Sequence, residues 1–260
     1  MRFRTPGIRW LRLGLPLAGL LALLVLPGLA VAADITFPGG SLDFASQSGK
    51  PLSTPLRLVL MLTVLSLVPS LLIVLTSFTR IIVVLAMLRH ALGMPETPPN
   101  AVLISLALFL TVFTMLPVWE QVDQQALTPY MNGAIAEKEL LEKGSGPVRE
   151  FMLAQTREKD LALMIELSGA KAPVQLAEVK LLQLIPAFMI SELRKAFEIG
   201  FIIFLPFVVI DIIVASVLMS LGMIMVPPLA FSLPLKILLF VLIDGWGLLS
   251  AALIRSFAPI

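Results

Sequence analysis

Three charged residues stand inside one long apolar run, Gly200 to Trp246: Asp211, Lys236 and Asp244. A charge inside a bilayer or a packed helical assembly is costly unless something pairs with it, so each of the three needs a reason. Two aspartates in such a setting have one obvious chemistry, a shared proton, which is how an intramembrane aspartyl protease would use Asp211 and Asp244. The Asp244-Gly245 dipeptide fits that reading, but Leu242-Ile243 precede it where such an enzyme places a glycine-framed loop. With no cysteine and one histidine, disulfides, thiol catalysis and a His/Cys metal site are excluded. The chain therefore reads as a non-enzyme that needs no metal and no cofactor.

The same run carries Met219, Met223, Ile224 and Met225, closing on Val226-Pro227-Pro228. Methionine at helical spacing is ordinarily core filler. Here Gly222 and the double proline take the backbone out of helix, so Met223, Ile224 and Met225 are presented from a loop. Several copies of that loop around an axis would form a soft apolar gasket, able to hold back small ions and part for a passing chain.

The elements that carry these residues follow from composition. Hydrophobic residues make up 58% of the chain and charged ones 14%, with a mean hydropathy of +0.98. A soluble catalytic domain is not built this way. Twenty prolines and sixteen glycines among the apolar runs indicate broken helices rather than plain anchors.

Residues 1–33 read as a cleavable secretory signal. Arg2, Arg4, Arg9 and Arg12 form the basic start, Leu13 to Leu29 the apolar stretch, and cleavage follows Ala32 or Ala33. Removing those four arginines leaves a mature chain of formal charge about −2, from nineteen basic and seventeen acidic residues in all. Nothing in that balance points to nucleic acid.

Residues 34–55 form a polar, flexible lead-in, and residues 56–119 a first apolar helical hairpin. Its Leu56 to Leu88 block exceeds the roughly 20 residues that span a bilayer and is punctuated by Pro69 and Arg80. Asn100 is placed to cap the next span, Ala101 to Trp119. Residues 120–180 are a hydrophilic insert with ten acidic and seven basic residues, in which Gly144-Ser145-Gly146-Pro147 should separate two helices. Residues 181–257 form a second apolar region, interrupted at Pro186 and Pro206, with a polar knot from Ser191 to Glu198. Within the knot, Arg194 and Glu198 are spaced for a local ion pair. The fold expected is an all-α integral membrane protein of kinked helical hairpins with a helical extracytoplasmic insert.

Orientation follows from the signal and from positive charge. The mature N-terminus lies outside, the connector holding Arg80, Arg89 and His90 is cytoplasmic, and the insert is periplasmic. The Met223 to Pro234 tip falls on the cytoplasmic side. For a hairpin turning near Pro227 to Pro234, Asp211 lies about 24 Å from the turn, Lys236 roughly 3 Å and Asp244 about 15 Å. On those levels neither aspartate reaches Lys236 within its own hairpin. Glu192, Asp211, Lys236 and Asp244 are thus expected as buried polar residues serving assembly, with partners on other segments or subunits. A membrane transporter built from broken half-helices is the other class such a pattern admits.

A run of motifs narrows the choice. Pro186-Ala187-Phe188-Met189-Ile190-Ser191-Glu192-Leu193-Arg194-Lys195-Ala196-Phe197-Glu198-Ile199-Gly200-Phe201 resembles the signature of the FliP family of flagellar export-gate proteins. So do Thr76-Ser77-Phe78-Thr79-Arg80-Ile81-Ile82, the Leu92-Gly93 to Asn100 turn, Arg149-Glu150-Phe151-Met152 and Leu221-Gly222-Met223-Ile224-Met225-Val226-Pro227-Pro228. Leu233-Pro234-Leu235-Lys236 and Ile243-Asp244-Gly245-Trp246 complete a resemblance that spans Leu56 to Phe257. It implies a subunit present in five copies that assembles with FliQ, FliR and other export-apparatus membrane proteins into a helical oligomeric channel. It implies a place in the bacterial inner membrane at the flagellar basal body, passing unfolded flagellar proteins. The related injectisome branch shares most motifs, but the signal and lead-in resemble the flagellar one. The family's Met-rich loop maps onto Met223, Ile224 and Met225, with Ile224 where the family usually has a third methionine. A β-branched side chain is stiffer there.

Overall fold

A computed structural model describes residues 54–169, 178–223 and 225–257. The signal segment with Ala32 and Ala33, the lead-in up to residue 53 and Ile224 lie outside the described residues. Packing divides the chain into two units, Met1–Leu60 and Met61–Ile260. Of the first unit, only the start of one helix is described.

The described residues are all-helical, with no strand among them. The helices in chain order are α1 (Thr54–Leu75), α2 (Phe78–Ala91), α3 (Asn100–Val122), a π turn (Asp123–Leu127), α4 (Thr128–Met131), α5 (Glu137–Gln155), α6 (Glu158–Leu167), α7 (Leu181–Ser220), α8 (Pro228–Leu242) and α9 (Gly245–Arg255). Two stretches are long and apolar enough to cross a membrane, Asn100–Met131 and Leu181–Ser220. Two bent pairs pass the same test, Pro69–Leu75 with Phe78–Ala91 at 82° and α8 with α9 at 64°.

The hub of the second unit is α2. Ile81, Val84, Leu85 and Leu88 make one fully buried face, in a core with Leu103 and Ala107 of α3 and Ala187 and Phe188 of α7, and of the whole helix only His90 is exposed. A helix apolar on nearly every side stays stable only inside a bundle. The far half of α7 differs. Phe201, Ile202, Val209, Ile212 and Ile213 are exposed on this chain. Forty residues make α7 about 60 Å long, twice the roughly 30 Å hydrocarbon core. Only its second half has the composition of a span, and its first half, with the polar knot, packs on α2, α5 and α6.

Several local expectations are overturned, each for a physical reason. The first block bends at Thr76-Ser77 rather than at Pro69, which sits inside α1. Hydroxyls stitch the corner: Thr76 Oγ1 donates to Leu72 O at 2.5 Å, Thr79 Oγ1 donates to Ile73 O at 2.9 Å, and Ser77 bonds Thr114 of α3. The Leu72 and Ile73 carbonyls near the end of α1 thus find side-chain donors. Asn100 does not cap; Pro99 precedes the helix, and the Asn100 side chain accepts from Arg89 Nη1 at 2.6 Å.

Gly144 to Pro147 does not break the insert, because α5 runs through it. Pro147, Phe151 and Met152 form its buried face, and Gly144 sits where an added Cβ would touch Ala126 of the π turn at 3.5 Å. Tertiary packing there outweighs the weak helix propensity of Gly and Pro. The insert breaks instead at Thr156-Arg157. Pro186 and Pro206 likewise leave α7 continuous.

Candidate functional site

The methionine loop begins where α7 ends. Gly222 has φ +77°, a left-handed conformation that L side chains resist, and it lets Met223 N donate back to Leu218 O at 3.0 Å. Pro227 is extended and Pro228 opens α8, so the turn between the two helices is Leu221 to Pro227. Met225 is 97% exposed and Met223 38%. The thioethers of both face outward from the loop rather than filling a core.

Placing the turn there corrects the charge levels. Asp211 lies nine residues before the end of α7 and Lys236 eight after the start of α8, about 14 and 12 Å from their respective ends. The two stand level, and Lys236 Nζ donates to Asp211 Oδ2 at 2.6 Å. A turn running from Pro227 to Pro234 misplaces these levels because α8 already begins at Pro228 and contains Pro234. Lys236 is 2% exposed and also donates to Ala91 O, the last carbonyl of α2, at 3.2 Å. An unpaired carbonyl at a helix C-terminus carries partial negative charge, so three helices converge on one ammonium. Asp211 therefore has its partner inside the chain, and its charge is no argument for an oligomer.

Glu192 is fully buried and anchors a second polar centre. Arg80, 1% exposed, reaches it from the first turn of α2. Its Nε donates to Glu192 Oε2 at 2.9 Å, and Nη2 donates to Glu192 Oε1 and to Gln155 Oε1, the latter at 3.0 Å. Nη1 donates to Ser256 O at 2.9 Å and to Ser256 Oγ at 3.1 Å. All five guanidinium N–H groups are engaged, and the Phe257 ring lies 3.8 Å from Cζ. Lys195 Nζ donates to Gln155 O at 2.8 Å, and Ser191 Oγ donates to Asp160 Oδ2 at 2.7 Å. One node thus joins α2, the end of α5, α6, α7 and the chain after α9.

Two sequence expectations fall at this node. Arg80 does not belong to a charged connector with Arg89 and His90; it lies at the opposite end of α2 from them, beside the insert. Glu198 does not pair with Arg194 but with Arg157, at 3.5 Å near the surface. Gln155 and Ser256 were not foreseen as partners. The signal that pointed to Arg80 was available: an arginine amid Phe78, Ile81, Ile82 and Val83 demands a carboxylate, and the polar knot supplies one.

Asp244 is exposed on this chain, not buried. With φ 52° and ψ 54° it is the left-handed corner residue between α8 and α9, a conformation Asp tolerates better than most side chains. Its neighbour Gly245 leaves room for the Phe240 ring, which packs edge-on to Trp246 at 5.3 Å between centroids. Asp211, held by an ammonium, and Asp244, at an exposed corner, do not make a proton-sharing dyad. Among the described residues no group of His, Cys, Asp or Glu could hold a metal ion. A small cleft of about 140 Å³ between α1, α3 and α5, lined by Leu71, Leu75, Met115, Trp119 and Val148, offers no reactive group.

Comparison with known proteins matches most of the chain. The FliP family model matches residues 61–253. The chain is 49% identical over 214 residues to the flagellar biosynthetic protein FliP of Bacillus subtilis (strain 168), covering 82% of this chain and 97% of that one. It is 44% identical over 240 residues to the protein of the same name from Rhizobium meliloti (strain 1021), covering 92% and 97%. Against the Caulobacter vibrioides FliP it is 52% identical over 201 residues, covering 77% and 76%.

Proposed function

The chain belongs to the FliP family, and we propose on that footing that it is a core subunit of the flagellar type III protein export gate. In this reading it sits in the bacterial inner membrane at the flagellar basal body. It assembles with further copies of itself, five in all, and with FliQ, FliR and other export-apparatus membrane proteins. Unfolded flagellar proteins pass through the resulting helical channel. The regions read from sequence keep their roles as parts of the proposal: residues 1–33 a signal, 34–55 a lead-in, 56–119 and 181–257 the apolar regions, and 120–180 a periplasmic-side insert.

Family membership supplies the flagellar role, and the observation that carries the gate is the loop. Met223 and Met225 stand exposed on a tight turn whose two stems are tied together by the ion pair of buried Lys236 with half-buried Asp211. Apolar side chains offered to water by a rigid hairpin want a partner surface. Copies of the loop meeting at an axis supply one, and unbranched thioethers can repack when a chain passes. Met223, Ile224 and Met225 form the pore gasket in this reading. Glu192, Asp211 and Lys236 hold the helices that present it, and Asp244 sets the corner between α8 and α9.

The test replaces Met223, Ile224 and Met225 with glycine in the full chain, expressed with its partners. Ion leakage across the membrane should rise while the complex still assembles. Unchanged leakage from an intact complex would sink the gasket role.

A further inference from the structure

The two buried charge centres differ in how completely they are satisfied. Arg80 has a partner for every donor, whereas Asp211 keeps one buried oxygen, Oδ1, without a hydrogen bond, and its side chain is 37% exposed. Lys236 spends two of three donors, one on each side: Asp211 of α7 and the Ala91 carbonyl that ends α2. Around it the first turns of α8 rest on the residue just past that helix end, since a Cβ on Gly93 would lie 3.5 Å from Leu233 Cδ1 and 3.7 Å from Leu229 Cδ1.

From this geometry we propose that Lys236 is the positioning residue of the methionine loop. Its ammonium clamps both stems of the α7–α8 hairpin to the C-terminal end of α2 and so sets the height of the loop relative to the Leu92 to Pro99 turn. The inference rests on the gate reading for its functional meaning but not for its geometry. The Arg80 node fixes the bundle; the Lys236 clamp, with single hydrogen bonds to each partner, fixes the loop. The Ala91 contact makes the clamp more than an ion pair. A neutral apolar pair at 211 and 236 would still pack the stems together, yet the Ala91 carbonyl would lose its ammonium, leaving only apolar packing between the loop's stems and the end of α2.

The chain has no cysteine, so a spin-label pair can be placed at Leu221→Cys and Glu96→Cys, both exposed. Distances are measured by pulsed electron resonance in the full chain, diluted with unlabelled copies. The parent should give one narrow distribution. Lys236→Met and Asp211→Asn should add a longer population, and Lys236→Arg should retain the narrow one. Should Lys236→Met fail to fold, Asp211→Leu with Lys236→Met keeps the question open to test: loss of the single peak supports the clamp, and a distribution like the parent's overturns it. Ion leakage in the same variants separates the two readings. A broadened distance with leakage supports both, and a broadened distance without leakage keeps the clamp while removing the gate beneath it.

Discussion

The Arg80–Glu192 node makes the sharpest energetic prediction. Replacing Glu192 by Leu removes a carboxylate that accepts from two nitrogens of Arg80 and leaves a guanidinium that is 1% exposed without its counter-charge, held only by Gln155 and Ser256. Breaking a buried pair from one side costs about 3–5 kcal/mol. At about 2–4 °C per kcal/mol for a chain of this size, the melting temperature should fall by roughly 6–20 °C. Arg80→Met orphans Glu192 and should cost a similar amount. The double variant should recover much of the loss, because apolar side chains of similar volume can replace a buried ion pair at little cost. Gln155 Oε1 keeps Lys195, and Ser256 Oγ keeps Leu253 O, when Arg80 is gone. The assay is a double-mutant cycle by thermal unfolding of the detergent-solubilised chain. Losses that simply add would show that the two residues do not interact, and a Glu192→Leu loss of about 1 kcal/mol or less would refute the burial argument.

Two further predictions come from close packing and from the surface. Gly245→Ala places a Cβ into the Phe240 ring, which must leave its contact with Trp246; destabilisation of about 1–3 kcal/mol in the same assay is expected, and Phe240→Leu in the same chain should relieve part of it. The exposed Glu139–Lys143 pair on α5, at 3.1 Å, serves as the control: Lys143→Ala should change stability by about 0.3–0.5 kcal/mol at most, measured as a thermal shift.

What the sequence made legible was local. Gly222 before a double proline marks the end of one helix and the start of the next, because left-handed backbone and a missing N–H act within a few residues. The helix end at Ser220 and the helix start at Pro228 follow from these residues. Helical class and apolar blocks were legible for the same reason, since hydropathy needs no knowledge of neighbours. The pairings were not. Lys236 was assigned no partner in its hairpin because a shift of a few residues in the turn moves helix levels by about 1.5 Å each, enough to separate Asp211 from it on paper.

The Gly144 to Pro147 stretch shows the converse error. Propensity favours a break there, yet the face carrying Pro147, Phe151 and Met152 is buried, and burial holds the helix through it. Arg80 was visible as an oddity but not as a node, because its partners come from residues 155, 192 and 256, far apart in the chain. Asp244 looked like a buried charge and is a backbone corner, a role that only the φ of the residue reveals.

The proposed function requires this chain to act as one subunit of a multi-chain export gate. Native mass spectrometry of the full chain, co-expressed in membranes with its FliQ and FliR, tests it most directly. A discrete complex holding several copies of this chain together with both partners is the predicted result. A stable monomer or dimer that binds neither would contradict it.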